Sequence, residues 1–151
     1  MKSKPIKRHK ALQPLSRDHH HGLLLSWKIR AGFSKNIEPN RILYKGKQFF
    51  LIKDGFPVSP GHILIISNKE KIDYFELDSH ERIELTELIA KAKEIIEDEY
   101  EPDGYNIGMN CGEVAGQSVM HFHCHIIPRY QGDMKNPKGG IRHCVKGKGN
   151  Y

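Results

Sequence analysis

The chain has 151 residues, 38% hydrophobic and 28% charged, enough for one folded domain with a real core. No apolar run approaches the roughly 18 residues of a membrane-spanning helix, so no such helix is expected. The net charge of +6 sits at the ends. Residues 1–10 and 135–151 each carry five Lys or Arg and no acid, leaving 14 basic against 18 acidic residues between them. Either solubilising tails or contact with a phosphate-rich partner would account for this. The basic start is followed by no apolar h-region, so no signal peptide is expected. Cys111, Cys124 and Cys144 form no Cys-x-x-Cys pair, and an odd count of this kind fits reduced thiols in the cytoplasm.

Residues 1–38 read as a basic tail and helical arm, and residues 39–151 as the main domain. In the arm, Ser16 can cap a helix running from Arg17-Asp18 to about Ala31, with Gly32 as its stop. Ile42-Leu43-Tyr44 and Gln48 to Ile52 read as a hairpin, Asp54 to Gly61 as a loop, and His62 to Ile66 as a buried strand. Asp78 and Glu81 form a capping box. Leu85, Leu88, Ile89, Ala92, Ile95 and Ile96 follow at helical spacing, and Pro102-Asp103-Gly104 is expected to end that helix. Its outer face offers Lys91 to Glu87 and Glu94. Tyr105 to Asn110 reads as a strand, Cys111 to Gly116 as a loop, and Gln117 to Pro128 as one long strand. Strands, one long helix, then strands: the expectation is an α+β domain with an antiparallel sheet.

The chemistry is concentrated in His121-Phe122-His123-Cys124-His125. On a continuous strand the three imidazoles share one face, while Met120, Phe122, Cys124 and Ile126 share the other. Each ring needs partners for two nitrogens, which core packing alone does not provide. Three readings compete: a metal site, a satisfied structural array, and phosphoryl chemistry with one imidazole as nucleophile. The stretch Asn110-Cys111-Gly112-Glu113-Val114-Ala115-Gly116-Gln117-Ser118 favours the last, because glycines let backbone N–H groups approach an anion.

Gln117-Ser118-Val119-Met120-His121-Phe122-His123-Cys124-His125-Ile126-Ile127-Pro128-Arg129 resembles the signature of the histidine-triad (HIT) superfamily. Asp54-x-x-Pro57-x-Ser59-x-Gly61-His62 and the following apolar run resemble a second family segment. Asn136-Pro137-Lys138-Gly139-Gly140-Ile141-Arg142 resembles a C-terminal segment of bacterial members. The resemblance implies a HIT-like sheet of about five strands with one long helix, and a homodimer. It implies a hydrolase or transferase acting on a nucleoside phosphoramidate, nucleotidyl adduct or dinucleoside polyphosphate such as a diadenosine polyphosphate. His123 would attack the α-phosphate and form a nucleotidyl-histidine. His121 would orient it and His125 would contact the phosphate. Ser118 and Asn110, with Gln117 of the same loop, would face phosphate or leaving group. Asp54 would bind the ribose, Ile52 would flank the base, and His62 would support the triad. A nucleotide-binding regulatory module with little turnover is the alternative.

Neither metal nor cofactor is expected. Some members bind zinc through a Cys-x-x-Cys pair and a later histidine, and here Glu70 stands where that histidine would be. Binding of nucleic acid through the basic ends is not expected, because no interleaved aromatic platform accompanies them. His19-His20-His21 lies in a segment that resembles the first helix of a hemerythrin-like domain. With only about 40 residues before the triad domain, a four-helix site cannot be completed in one copy. Leu23, Leu24, Leu25 and Trp27 suit a helix that packs on the domain or on a second subunit.

Overall fold

The computed structural model describes residues 39–149. The arm, including Ser16, His19-His20-His21, Leu23 to Leu25 and Trp27, lies outside them. From a short 3-10 turn at Pro39–Arg41 the chain enters β1 (Ile42–Lys45), β2 (Phe49–Lys53) and β3 (Ile63–Ser67). Then come α1 (Ser79–Glu97), β4 (Gly104–Gly108) and β5 (His123–Arg129). All strand pairs are antiparallel, in the order β1-β2-β3-β5-β4. This is the α+β architecture expected, a five-stranded sheet with one long helix.

The sheet separates its residues by alternation. Phe49, Leu51, Ile63, Ile65, Phe122, Cys124 and Ile126 pack with Leu85, Leu88, Ala92 and Ile96 of α1. Phe49 and Phe122 meet edge to face, ring centres 5.8 Å apart. Burial of each large side chain contributes about 2 kcal/mol, so this face dominates the fold. Phe50, Ile52, Leu64 and Ile66 form a second, smaller apolar cluster on the opposite face. Register extends that face into the histidines. Ile42, Ile52, Leu64, His125 and Gly108 form one row across all five strands. Phe50, Ile66 and His123 form the row beside it.

Helix α1 begins at the capping box. The Glu81 N–H donates to Asp78 Oδ1 at 2.9 Å, and the Asp78 N–H to Glu81 Oε2 at 2.9 Å. Glu81 is buried and also pairs with Lys71 Nζ at 3.2 Å. The Lys71 carbonyl in turn accepts the Phe122 N–H at 2.6 Å, tying the helix start to the histidine segment. The helix ends at Glu97 with Asp98 as its cap, before Pro102 is reached. On its outer face Lys91 pairs with Glu94 at 2.9 Å and Lys93 with Glu97 at 2.6 Å.

The strand expected over Gln117 to Pro128 is shorter than that reading. It begins at His123, because the flanking ladders end there: β3 pairs no further than Ile66 with His123, and β4 no further than Gly108 with His125. Residues 117–122 instead satisfy their backbone through loop contacts. His121 therefore stands before the strand, not on it.

Candidate active site

His123 is half-buried, its ring edge-on to His125 with centres 5.2 Å apart. Its Nδ1 lies 2.7 Å from the His121 carbonyl oxygen. A carbonyl can only accept, so Nδ1 carries the proton and donates. The neutral ring then has its lone pair on Nε2. This is the tautomer that a nucleophilic imidazole needs, held by the backbone two residues upstream.

His121 is buried, its Nε2 2.8 Å from the Ser67 carbonyl and 3.0 Å from Ser67 Oγ. The Ser67 hydroxyl donates to the Lys69 carbonyl at 2.9 Å, so Nε2 is the donor toward Ser67. Burial pushes the His121 pKa down, against the pull of the Ser67 carbonyl, and the neighbouring His123 lowers it further. The result fixes both the ring and the backbone whose carbonyl orients His123.

On the other side of His123 runs a chain of three groups. Asp54 Oδ2 is 3.2 Å from His62 Nδ1, and His62 Nε2 is 3.0 Å from His125 Nδ1. The Val58 N–H also lies 3.4 Å from His62 Nδ1. A bare nitrogen facing a carboxylate would be repulsive, so Nδ1 donates to Asp54 and the longer Val58 contact is secondary. His62 Nε2 then accepts from His125 Nδ1, and His125 is left with a lone pair on its own Nε2. Burial lowers the His62 pKa, against the opposing pull of Asp54. Burial, His123 and His62 together bring the His125 pKa down to about 4, so both rings are neutral near pH 7.

Asp54, His62 and His125 could also be considered as a set of metal ligands, since their donor atoms lie within 4.8 Å of one another. The order of contacts argues for a hydrogen-bond chain instead. The His62 ring stands between the other two groups and spends one nitrogen on each, so the three donors do not converge on a common point.

His62 is positioned by the turn before it. Gly61 has φ +81°, and an added Cβ would come within 3.0 Å of the Tyr100 ring. The His62 carbonyl accepts the Asp54 N–H at 3.0 Å, closing the loop that brings acid and imidazole together. Asp54 Oδ1 accepts the Phe56 N–H at 2.9 Å. A cleft of about 200 Å³ reaches Asp54 and His62 from the helix side, between Leu43, Ile95 and Tyr100, and none of the three triad histidines lines it.

The remaining sequence-derived residues are distributed around the triad. Ser118 is exposed and Asn110 half-buried in the loop before β5. Gln117 is buried with its amide engaged by backbone. Nε2 donates to the Ile72 carbonyl at 2.6 Å and the Val119 carbonyl at 3.1 Å, and Oε1 accepts the Gly112 N–H at 2.7 Å. Gln117 thus shapes the loop rather than presenting its amide to a ligand. Ile52 is fully buried in the apolar cluster of the histidine face. Cys124, on the helix face, is buried and its thiol is pushed up to about 12, which suits packing rather than chemistry. Sequence reasoning missed Ser67. The only signal was a polar residue closing an otherwise apolar strand, and its partner lies 54 positions away.

Comparison with known proteins agrees with this geometry. The HIT domain family matches residues 35–132. An AP-4-A phosphorylase of Mycobacterium tuberculosis is 31% identical over 97 residues, covering 64% of this chain and 50% of that protein. This chain thus spans about half the length of that relative. An uncharacterized HIT-like protein of Methanocaldococcus jannaschii is 35% identical over 102 residues, 68% of this chain and 78% of its own. The crystal structure of a hypothetical histidine triad nucleotide-binding protein from Sulfolobus tokodaii superposes with a TM-score of 0.63 at 32% identity, covering 72% of this chain and 70% of that one. With the family's domain matched over most of the chain, and its histidine motif and five-stranded sheet in place, the chain belongs to the HIT-domain family.

Proposed function

We propose that this chain is a nucleotidyl hydrolase or transferase whose nucleophile is His123. The observation that carries the reading is the 2.7 Å contact between His123 Nδ1 and the His121 carbonyl, which leaves Nε2 as a held lone pair. In the first step Nε2 attacks the α-phosphorus of a nucleotide. The bond from phosphorus to the leaving group breaks, and the leaving group departs with the electron pair, a phosphate as its anion and an amine after taking up a proton from water. In the second step a water or another acceptor attacks phosphorus and gives up its proton to solvent, and His123 leaves with the pair it had shared, while His125 contacts the α-phosphate. Ser118 and Asn110 face phosphate oxygens, and Gln117 holds their loop. Asp54 serves the ribose and orients His62, and Ile52, itself buried, backs the apolar cluster that flanks the base. The Mycobacterium tuberculosis relative named AP-4-A phosphorylase supports a nucleotide polyphosphate as substrate.

The proposal keeps residues 1–38 as an arm distinct from the domain at 39–151, a homodimer as the working assembly, and the cytoplasm as its compartment. Among the described residues no helix is long and apolar enough to cross a membrane. The decisive test is a chemical trap. The protein is mixed with α-labelled diadenosine tetraphosphate or adenosine phosphoramidate and quenched in denaturant without acid. Label should be retained on the wild-type chain and absent from His123→Ala. Turnover by His123→Ala at the wild-type rate would defeat the mechanism. Nucleotide binding without turnover in the wild type would favour the regulatory module.

A further inference from the structure

Between β3 and the short turn at Tyr74–Glu76, residues 68–73 belong to no strand or helix. No ladder holds them, so their place depends on individual contacts. Lys71 supplies several. Its Nζ lies 3.2 Å from Glu81 Oε2 and donates to the Glu76 carbonyl at 3.0 Å. The Glu81 side chain, in the first turn of α1, is 4% exposed and that of Lys71 23%. A pair so far from solvent is held to one geometry, because either charge left alone there would be costly. The next residue is fixed as well. The Ile72 N–H donates to Glu76 Oε2 at 2.6 Å, and the Ile72 carbonyl accepts Gln117 Nε2 at 2.6 Å.

The peptide unit that joins His121 to Phe122 faces both Lys71 and the nucleophile. Its N–H donates to the Lys71 carbonyl at 2.6 Å, and its carbonyl is the group 2.7 Å from His123 Nδ1. A peptide unit is planar, so fixing the direction of the N–H fixes that of the C=O. Donation by the N–H also polarises the amide, which makes its carbonyl a better acceptor and leaves the His123 ring more electron-rich at Nε2. A continuous path therefore runs from Glu81 through Lys71 and one peptide plane to His123. The Ser67 contacts grip the His121 ring and not this plane.

Resting on the nucleotidyl reading above, we propose that Lys71 and Glu81 are positioning residues for His123. Their ion pair holds the Lys71 carbonyl against the peptide of residues 121–122, and so keeps His123 in the tautomer with its lone pair on Nε2. The pair acts through backbone and touches no reacting atom, so it governs turnover and not nucleotide affinity. The start of α1 thereby belongs to the apparatus that aims the nucleophile.

The double variant Lys71→Met, Glu81→Gln tests it on the full chain. It removes the pair without stranding a buried charge, and glutamine keeps the capping box. With diadenosine tetraphosphate as substrate, kcat should fall by about 10- to 100-fold while KM stays within about twofold. Nuclear magnetic resonance of chain with nitrogen-labelled histidines supplies a second readout. His123 should carry its proton on Nδ1 alone in the wild type and show both tautomers in the double variant. Lys71→Arg should keep the single tautomer and a kcat within about threefold of wild type. Lys91→Met, which breaks an exposed pair on the same helix, should change neither readout. Wild-type kcat with a single Nδ1–H tautomer in the double variant would overturn the proposal. So would a raised KM at constant kcat, or a loss of stability that leaves the tautomer and the kcat of the folded fraction unchanged. A wild type without turnover would defeat the nucleotidyl reading itself. The tautomer populations of wild type and double variant would still decide the positioning role.

Discussion

The two faces of β5 are built from neighbouring residues and obey different rules. On the helix face, Cys124 and Ile126 follow Phe122 in a core against α1, where volume and shape decide what is tolerated. On the opposite face, His123 and His125 are held by hydrogen bonds whose direction fixes each tautomer. A change on the first face should therefore cost stability, and one on the second should cost chemistry. One strand can carry both because its alternation keeps the two apart.

The sharpest way to break this comparison is His123→Asn. Turnover should fall by about 10³-fold or more, while stability changes by less than about 1 kcal/mol. Steady-state kinetics beside urea unfolding measures both, and a large loss of stability would mean that the faces are not separable. The mirror experiment is Phe122→Ala. It should destabilise the fold by about 3–4 kcal/mol, and the fraction that remains folded should keep near wild-type turnover.

Acid should distinguish the faces next. In the folded chain the His125 pKa is about 4, against 6.5 for a histidine free in water, and His62 and His121 are lowered too. The unfolded chain thus takes up protons first as the pH falls. The stability is fully present above about pH 6.5 and is lost progressively toward pH 4. Unfolding free energy should drop by about 2 kcal/mol between pH 7 and 5, and His125→Asn should flatten that slope. A wild-type slope of zero over this range would refute the neutral chain from Asp54 to His125. The smallest effect is expected from Ser67→Ala. Loss of one hydroxyl from the His121 contact should cost about 1 kcal/mol of stability, with turnover reduced by no more than about tenfold. No change in either would mean that the Ser67 carbonyl alone secures His121.

Much of this was legible from single segments. The capping box at Asp78 and Glu81, the apolar stripe of α1 and the alternation around His123 are local patterns, and the structure contains each of them. The start of β5 was not legible, because it depends on where β3 and β4 stop, which no residue between 117 and 122 records. Ser67 under His121 and Ile141 over Gly108 are long-range meetings of the same kind. The engagement of Gln117 with the Ile72 carbonyl, 45 positions away, likewise converts an apparent ligand group into a brace.

The insertion of β5 between β3 and β4 also sets an order of events in time. β2 and β3 follow one another closely and can zip together early, whereas β5 must wait for α1 and β4 and then close two ladders at once. During synthesis, no intermediate lacking residues 123–129 can present the paired imidazoles. Until that strand docks, β3 has an open edge, which in a nascent chain is a place where another strand can add. The histidine strand is therefore also the piece that seals the sheet, and slow docking would appear first as association of partly folded chains.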